Sequence, residues 1–156
     1  MIDLVSLHGN TLLQGLSEDD LKALAGIFSE KIMPEGTTVF VENMPGESLY
    51  VVQQGAVKIS KMIAEGDEKT LVILGPEEVF GEMAIFDGAP RSATARVAEE
   101  ARLLNIRKSD FDKLCEQNPT LAMKLTRNIM RVISRRIRDN NEEYREMLLW
   151  SLGKKV

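Results

Sequence analysis

Residues 80–94 read Phe80-Gly81-Glu82-Met83-Ala84-Ile85-Phe86-Asp87-Gly88-Ala89-Pro90-Arg91-Ser92-Ala93-Thr94. The pattern predicts a strand end, a glycine, one short helical turn, a second glycine and an extended approach to another strand. Gly81 lets a ligand approach the main chain because no Cβ intervenes. Free N–H groups at the start of a short helix suit an anion, and the Arg91 guanidinium can bind a phosphate through two parallel hydrogen bonds. We therefore expect residues 80–94 to form an anion-binding segment.

Glu82 lies within this segment, although a carboxylate repels an anion. Its presence is explained if Glu82 accepts hydrogen bonds from a sugar hydroxyl, so that one ligand carries both a phosphate and a ribose. A structural ion pair between Glu82 and Arg91 is the alternative. The single arginine and the lack of a G-x-x-x-x-G-K-[ST] run favour a singly charged phosphodiester over a triphosphate.

The residues before this segment indicate a β-sheet. Glycines recur from Gly36 to Gly88, and turn signals at such spacing predict short antiparallel strands. The residues between them are rich in Val, Ile, Leu, Phe and Thr and partly alternate between polar and apolar. We expect an α+β fold with an antiparallel, jelly-roll-like β-roll over residues 32–107. The expected strands are 37–42, 49–53, 57–60, 70–74, 93–98 and 102–106.

Helices are expected on both sides of the roll, which makes 1–156 a single domain. N-terminal helices occupy 1–31, and Ser17 is the N-cap of one of them because acidic residues follow it. C-terminal helices occupy 109–150. Asn118 and Pro119 open the last and longest helix as its N-cap and first helical residue.

The long C-terminal helix carries two apolar faces. Leu125, Ile129 and Val132 form one face, which suits packing on the roll. The second face follows the 3,4 spacing of a coiled-coil seam and predicts a homodimer, unless both faces pack inside one monomer. The residues of this second face, called the seam below, are Met130, Ile133, Ile137, Asn140, Tyr144 and Met147. Basic residues between 124 and 138 form a solvated helix face or, alternatively, a docking site for an effector protein.

Composition narrows the possible functions. The chain has 156 residues, 44% of them hydrophobic, and a formal net charge of -4, which fits a globular protein and disfavours nonspecific nucleic-acid binding. No apolar run spans a membrane and no basic segment opens a signal peptide, so we expect a cytoplasmic protein without membrane contact. One histidine, His8, and one cysteine, Cys115, are too few for most metal sites or catalytic pairs, so we expect no metal and no enzymatic activity.

The run FGEMAIFDGAPRSATA resembles the phosphate-binding cassette of cyclic nucleotide-binding domains. This family includes the bacterial catabolite activator protein, regulatory subunits of cAMP-dependent protein kinase and cyclic-nucleotide-gated channels. The resemblance rests on the Gly81-Glu82 pair, the short helix, Arg91 nine residues after Glu82 and the small residues that follow. It implies a sensor of cAMP, with cGMP as the less favoured ligand. The same fold with another effector, such as haem bound through His8 or Cys115, and a metal-dependent β-roll enzyme are the alternatives.

The resemblance also implies roles for individual residues. The Gly81 N–H and Glu82 hold the ribose 2′-hydroxyl, and Arg91 and Ser92 hold the cyclic phosphate. Further ligand-binding residues implied in this way are Met83 and Ala93 in the cassette, Ile59, Val72 and Leu74 as an apolar wall, and Arg136, Asn140 and Asn141 near the base. The two asparagines stand where the catabolite activator protein, one member of this family, has a Thr-Ser pair, and an amide could bond the purine edge.

The few residues after the long helix are too short for a DNA-binding, kinase or channel segment. We therefore expect no direct DNA binding, and output through a dimer mate or a separate effector.

Overall fold

The computed structural model describes Ile2 and residues 10–155 and confirms the expected α+β fold. A six-stranded antiparallel sheet is flanked by helices. The helices are α1 (Glu18–Ala25), α2 (Met83–Phe86), α3 (Lys108–Gln117) and α4 (Pro119–Ser151). The strands are β1 (Ser29–Met33), β2 (Thr38–Phe40), β3 (Ser48–Ala64), β4 (Asp67–Leu74), β5 (Val79–Phe80) and β6 (Thr94–Arg107). A 3-10 turn at Thr11–Leu13 precedes α1.

The sheet is organised around β3 and β6. Their main path runs β1-β6-β3-β4, while β2 pairs with β6 and β5 pairs with β3. β3 and β6 pair from Ser48↔Arg107 to Ser60↔Thr94. Because β5 ends at Phe80 and β6 begins at Thr94, residues 81–93 connect two strands that are both anchored on β3.

In two places, two of the expected strands are joined into one long strand. β3 runs without a break through Gly55, which the sequence analysis takes as a turn, and β6 joins the strands expected at 93–98 and 102–106. Gly55 has a φ of 80°, and a Cβ placed on it would lie 2.0 Å from the carbonyl oxygen of Glu100. The β3–β6 register shifts on both sides of this residue. Gly55 therefore forms a β-bulge against β6 and not a reversal of the chain.

Some element boundaries also differ from those expected. The sheet begins at Ser29, so residues 29–31, assigned above to the N-terminal helices, are strand and pair with β6. α3 begins at Lys108 instead of residue 109, and α4 ends at Ser151 instead of residue 150. Residues 3–9, including His8 and part of the expected N-terminal helices, lie outside the described residues.

The predicted N-caps of α1 and α4 are present. Ser17 Oγ accepts a hydrogen bond from the Asp20 N–H at 3.1 Å, and the Asp20 carboxylate accepts one from the Ser17 N–H. Asn118 Oδ1 accepts from the Leu121 N–H at 3.2 Å, with Pro119 as the first residue of α4. These caps satisfy N–H groups that have no partner inside the helix.

The two faces of α4 have different environments. Leu125, Ile129 and Val132 are buried in one cluster with residues of the sheet, as predicted. In the seam, Met130, Ile137, Tyr144 and Met147 are at least half exposed, Asn140 is exposed and Ile133 is partly buried. Every residue from 137 to 148 is exposed, so this part of α4 extends beyond the roll.

Basic residues of α4 form ion pairs and hydrogen bonds with other side chains. Lys124 pairs with Asp20 of α1 at 2.9 Å, and Arg131 donates to Asn128 Oδ1. Asn128 is buried and its Nδ2 donates to the carbonyl oxygens of Leu12 and Gln14, which fixes the segment before α1 against α4.

No helix within residues 10–155 is both long and apolar enough to cross a membrane.

Candidate functional site

A cavity of about 320 Å³ opens between the segment 80–93, the sheet and α4. Its volume is near the lower end of the range for small-molecule sites, roughly 300–1,000 Å³. Nine of the twelve predicted ligand-binding residues line it: Ile59, Val72, Gly81, Glu82, Met83, Arg91, Ser92, Ala93 and Arg136. The fold thus gathers the cassette, one face of β3 and β4, and α4 around one space.

Arg91 is the main polar group of this cavity and is only 7% exposed. Its Nη1 donates to the Gly81 carbonyl oxygen at 3.0 Å and its Nη2 to the Ser48 carbonyl oxygen at 2.9 Å. The guanidinium carbon lies 4.0 Å above the centroid of the Phe40 ring. These contacts fix the orientation of the guanidinium but neutralise none of its charge.

Burial lowers the pKa of Arg91, and the nearby Tyr50 and Glu82 act in the opposite direction. An arginine nevertheless stays protonated in proteins. The buried Nε has no hydrogen-bond partner among the described residues, nor is Arg91 in any ion pair there. A buried cation without an ion-pair partner is unfavourable, so a bound anion would stabilise Arg91.

The predicted alternative of a Glu82–Arg91 ion pair does not form among residues 10–155. Glu82 lies directly before α2 and is half-buried at the cavity, but it takes part in none of the ion pairs of that part of the chain. Gly81 has a φ of 71°, in the left-handed region that favours glycine. Glu82 and Arg91 thus both line the cavity without pairing with each other.

Two glycines allow the close packing around Arg91. A Cβ on Gly81 would lie 2.7 Å from Arg91 Nη1, and a Cβ on Gly46 would lie 2.9 Å from Arg91 Nε and 2.6 Å from the Ala84 Cβ. Gly46 is a site residue that the sequence analysis does not predict. Its spacing from the other glycines indicates only a turn, and its contact with the cassette arises only in the folded chain.

The apolar wall is partly as predicted. Ile59 of β3 and Val72 of β4 are paired in register and line the cavity. Leu74 does not line it, because its side chain is 3% exposed and packs in the core cluster that contains Val57 and Phe80. Leu71 lines the cavity instead. The register shift after Ile59 places Leu71 at a bulge, and simple alternation along β4 cannot show this.

Of the three α4 residues that were expected at the cavity, only Arg136 lines it. Its Nη2 donates to Glu78 Oε2 at 2.9 Å and also contacts the Val79 carbonyl oxygen, which ties α4 to β5 at the rim of the cavity. Asn140 and Asn141 do not line the cavity and are exposed. They lie four and five residues beyond Arg136, where α4 has left the roll.

Lys61 is a cavity residue that the sequence analysis missed. Its Nζ donates to the Ser92 carbonyl oxygen at 2.7 Å and lies 3.1 Å from Glu42 Oε1. In the sequence Lys61 follows the alternating run 57–60 and looks like one more solvent-facing strand residue. No local signal distinguishes it from other lysines of the sheet.

Comparisons with known proteins agree with this geometry. The family model described as "Cyclic nucleotide-binding domain" matches residues 30–118. The chain belongs to the cyclic nucleotide-binding domain family.

Relatives include the cyclic AMP receptor protein of Thermus thermophilus, 31% identical over 88% of this chain and 62% of the relative. Among solved structures, the Thermus thermophilus catabolite activator protein matches with a TM-score of 0.72 and 29% identity, over 89% of this chain and 63% of that one. The regulatory domain of Toxoplasma gondii PKA with cAMP matches with a TM-score of 0.59 and 32% identity, over 66% of this chain and 39% of that one. This chain thus spans less than two thirds of each of these relatives.

The family match ends at Asn118, directly before α4. In this cyclic nucleotide-binding domain the cassette, the apolar wall and Lys61 therefore lie inside the matched region, whereas Arg136 reaches the cavity from outside it. α4 is the element that connects the ligand cavity to the exposed seam.

Proposed function

We propose that this chain is a cytoplasmic, non-enzymatic sensor that binds cAMP in the cavity and signals through α4. The observation that carries the proposal is the buried Arg91 guanidinium, which donates hydrogen bonds to two carbonyl oxygens but forms no ion pair with any described residue. A cyclic phosphate supplies one negative charge, which is the charge that Arg91 requires. The similar regulatory domain of Toxoplasma gondii PKA has been co-crystallised with cAMP, which supports the choice of nucleotide.

In this proposal each part of the ligand meets a matching group. The phosphate is held by Arg91 and the Ser92 hydroxyl, and the ribose 2′-hydroxyl by Glu82 and the Gly81 N–H. A hydroxyl donor explains why a carboxylate is placed beside a guanidinium without pairing with it. Met83 and Ala93 lie beside the ligand, since both line the same cavity.

The base packs against Ile59, Leu71 and Val72, with Arg136 at its edge. An amide of Asn140 or Asn141 reaches the base only if α4 moves or if a second copy of the chain supplies it, because neither residue lines the cavity of one chain. The apolar wall gives little discrimination between adenine and guanine, so cGMP is the second candidate ligand.

The output of the sensor leaves through α4. Arg136 joins α4 to Glu78 and to the carbonyl of Val79, so the cavity and the helix are mechanically connected. A ligand that contacts both the cassette and α4 shifts the population toward the state in which they are close. The exposed seam then pairs with a second copy to form a homodimer, or presents α4 to a separate effector protein.

Calorimetry with cAMP and cGMP on the unmodified chain tests the proposal. Arg91→Ala should weaken cAMP binding by at least roughly 100-fold, because it removes two hydrogen bonds to a charged group, each worth about 1.5–3 kcal/mol. Arg91→Lys keeps the charge without the planar donor pair and should show an intermediate loss. Arg107→Ala, at the exposed end of β6, is the matched control and should bind as the parent does.

Unchanged cAMP affinity in a folded Arg91→Ala variant would overturn the assignment of the phosphate site. A parent chain that binds neither nucleotide would instead indicate a sensor of the same fold with a different effector. Thermal unfolding of each variant shows whether the loss arises from binding or from the fold.

A further inference from the structure

Lys61 takes part in a small hydrogen-bonded network at the end of the cassette. Its Nζ donates to the Ser92 carbonyl oxygen at 2.7 Å and pairs with Glu42 Oε1 at 3.1 Å. Glu42 Oε2 accepts from the Met62 N–H, and the Glu42 N–H donates to Thr94 Oγ1 at 3.0 Å. The network therefore joins the turn after β2, the C-terminal end of β3 and both sides of Ala93.

The segment that this network holds is a loop that is fixed at Arg91 and Ser92. Residues 87–93 are neither helix nor strand. The main chain of Arg91 is fixed by two hydrogen bonds, from Asn43 N–H to the Arg91 carbonyl oxygen and from Arg91 N–H to the Met44 carbonyl oxygen, both 2.8 Å. At Ser92 the carbonyl oxygen is held by Lys61, and the hydroxyl makes only a long contact of 3.6 Å with Met83 Sδ.

The Glu42 carboxylate is suited to fix the lysine. The Met62 N–H and the Lys61 ammonium lower the pKa of Glu42, so it is ionised at neutral pH. Its side chain is only 16% exposed, whereas that of Lys61 is 46% exposed. The anchored end of the pair is therefore Glu42, and Lys61 extends from it toward the cassette.

We propose that Lys61 is a positioning residue of the ligand site, which holds the Ser92 peptide so that Arg91 and the Ser92 hydroxyl together face the ligand phosphate. This inference rests on the proposed cyclic nucleotide binding and adds a residue to it. The role is positional because the Lys61 ammonium is already paired with Glu42 and already donates to Ser92.

Stopped-flow kinetics with fluorescent cAMP provides the test. Lys61→Met should raise the dissociation rate about tenfold, the factor that corresponds to one hydrogen bond worth about 1.4 kcal/mol. The association rate should change less than about twofold, because loss of steering by charge would act on association instead. Lys61→Arg keeps a cationic donor and should restore most of the parent's dissociation rate.

Lys69→Met is the matched control, because Lys69 lies directly opposite Lys61 in the β3–β4 register, pairs with Asp67 and does not line the cavity. It removes the same charge from almost the same place and should leave both rates unchanged. Equal effects of Lys61→Met and Lys69→Met would show that charge alone matters and would overturn the positioning role. An unchanged dissociation rate in Lys61→Met would do so as well.

Hydrogen exchange of the free protein tests the same inference without ligand. Lys61→Met should speed amide exchange in residues 87–94 and leave α3 unaffected, while Lys69→Met should change neither. If the parent chain binds no cyclic nucleotide, the proposed function fails, and this exchange result still shows whether Lys61 holds the cassette. Equal exchange in the parent and Lys61→Met would contradict the inference even if cAMP binds.

Discussion

Gly46 offers a direct test of how tightly the protein packs around Arg91. An alanine Cβ at this position would lie 2.6 Å from the Ala84 Cβ, 2.9 Å from Arg91 Nε and 3.0 Å from Arg91 Cζ. Ordinary carbon contacts are about 3.5–4.0 Å, so α2 or Arg91 must move by about 1 Å. Gly46 does not have the left-handed backbone, so the effect of alanine is steric and not conformational.

Both neighbours of this Cβ are held in place, so its insertion costs stability and affinity. The Arg91 guanidinium is held by the carbonyls of Gly81 and Ser48 and by Phe40, and Ala84 belongs to the single turn of α2. Overpacking of this kind destabilises a protein by about 1–3 kcal/mol. At roughly 2–4 °C per kcal/mol for a chain of this size, Gly46→Ala should lower the melting temperature by several degrees. Cyclic nucleotide affinity should fall roughly 10- to 100-fold, because at least one hydrogen bond to the charged Arg91 is distorted.

Calorimetry with cAMP and differential scanning fluorimetry measure the two effects separately. Gly75→Ala is the control, since a Cβ on Gly75 would meet no atom of the described residues within 4 Å other than those of its chain neighbours, and its backbone is not left-handed. Adding Ala84→Gly to Gly46→Ala removes the shortest contact and should recover part of the lost stability. A Gly46→Ala variant with parental affinity and melting temperature would refute the packing argument.

Three further predictions concern α4 and its contacts. Ile137→Glu places a charge in the exposed seam and should shift sedimentation toward the monomer, whereas Arg138→Glu beside it should not; equal shifts would contradict a seam through Ile137. Asn128→Ala leaves the Leu12 and Gln14 carbonyl oxygens without their donor and should lower the free energy of unfolding by about 1–3 kcal/mol in urea denaturation. The Lys124 hydrogen bond lowers the pKa of Asp20 below its ordinary value of 3.8. The stabilisation of the folded state by the Asp20–Lys124 pair is therefore present above that pH and is lost as the pH falls through the lower folded-state pKa. Asp20→Asn should therefore flatten the acid side of the melting-temperature curve, and an unchanged curve would show that the pair contributes nothing.

The parts of the protein that depend on local chemistry were predictable from the sequence. Ser17 and Asn118 cap helices through their own neighbouring residues, and Gly81 and Arg91 belong to one short segment whose order is itself informative. The face of α4 formed by Leu125 and its neighbours follows from helical periodicity. In each case the physical cause lies within a few residues of the observed feature.

The parts that depend on distant contacts were not predictable. Gly55 has the same left-handed backbone that a turn glycine has, and only the carbonyl of Glu100, far along the chain, makes it a bulge. The bulge in the β3–β4 register likewise brings Leu71 to the cavity, whereas Leu74, in the regular part of the register, packs in the core. Lys61 acquires its contact with Ser92 through the pairing of strands, which no spacing rule includes.

The exposed part of α4 gives the protein a lever. Residues 137–151 extend about 22 Å beyond Arg136 at 1.5 Å per residue. Arg136 is the last residue of α4 that contacts both the cavity and β5, so it lies close to the fulcrum of any rotation of the helix. A tilt of about 10° at this point displaces the far end by about 4 Å, a distance comparable to the spacing between packed side chains. If α4 tilts in this way when ligand binds, as the proposed output requires, a change too small to alter the cavity noticeably becomes a step large enough to make or break contacts along the seam.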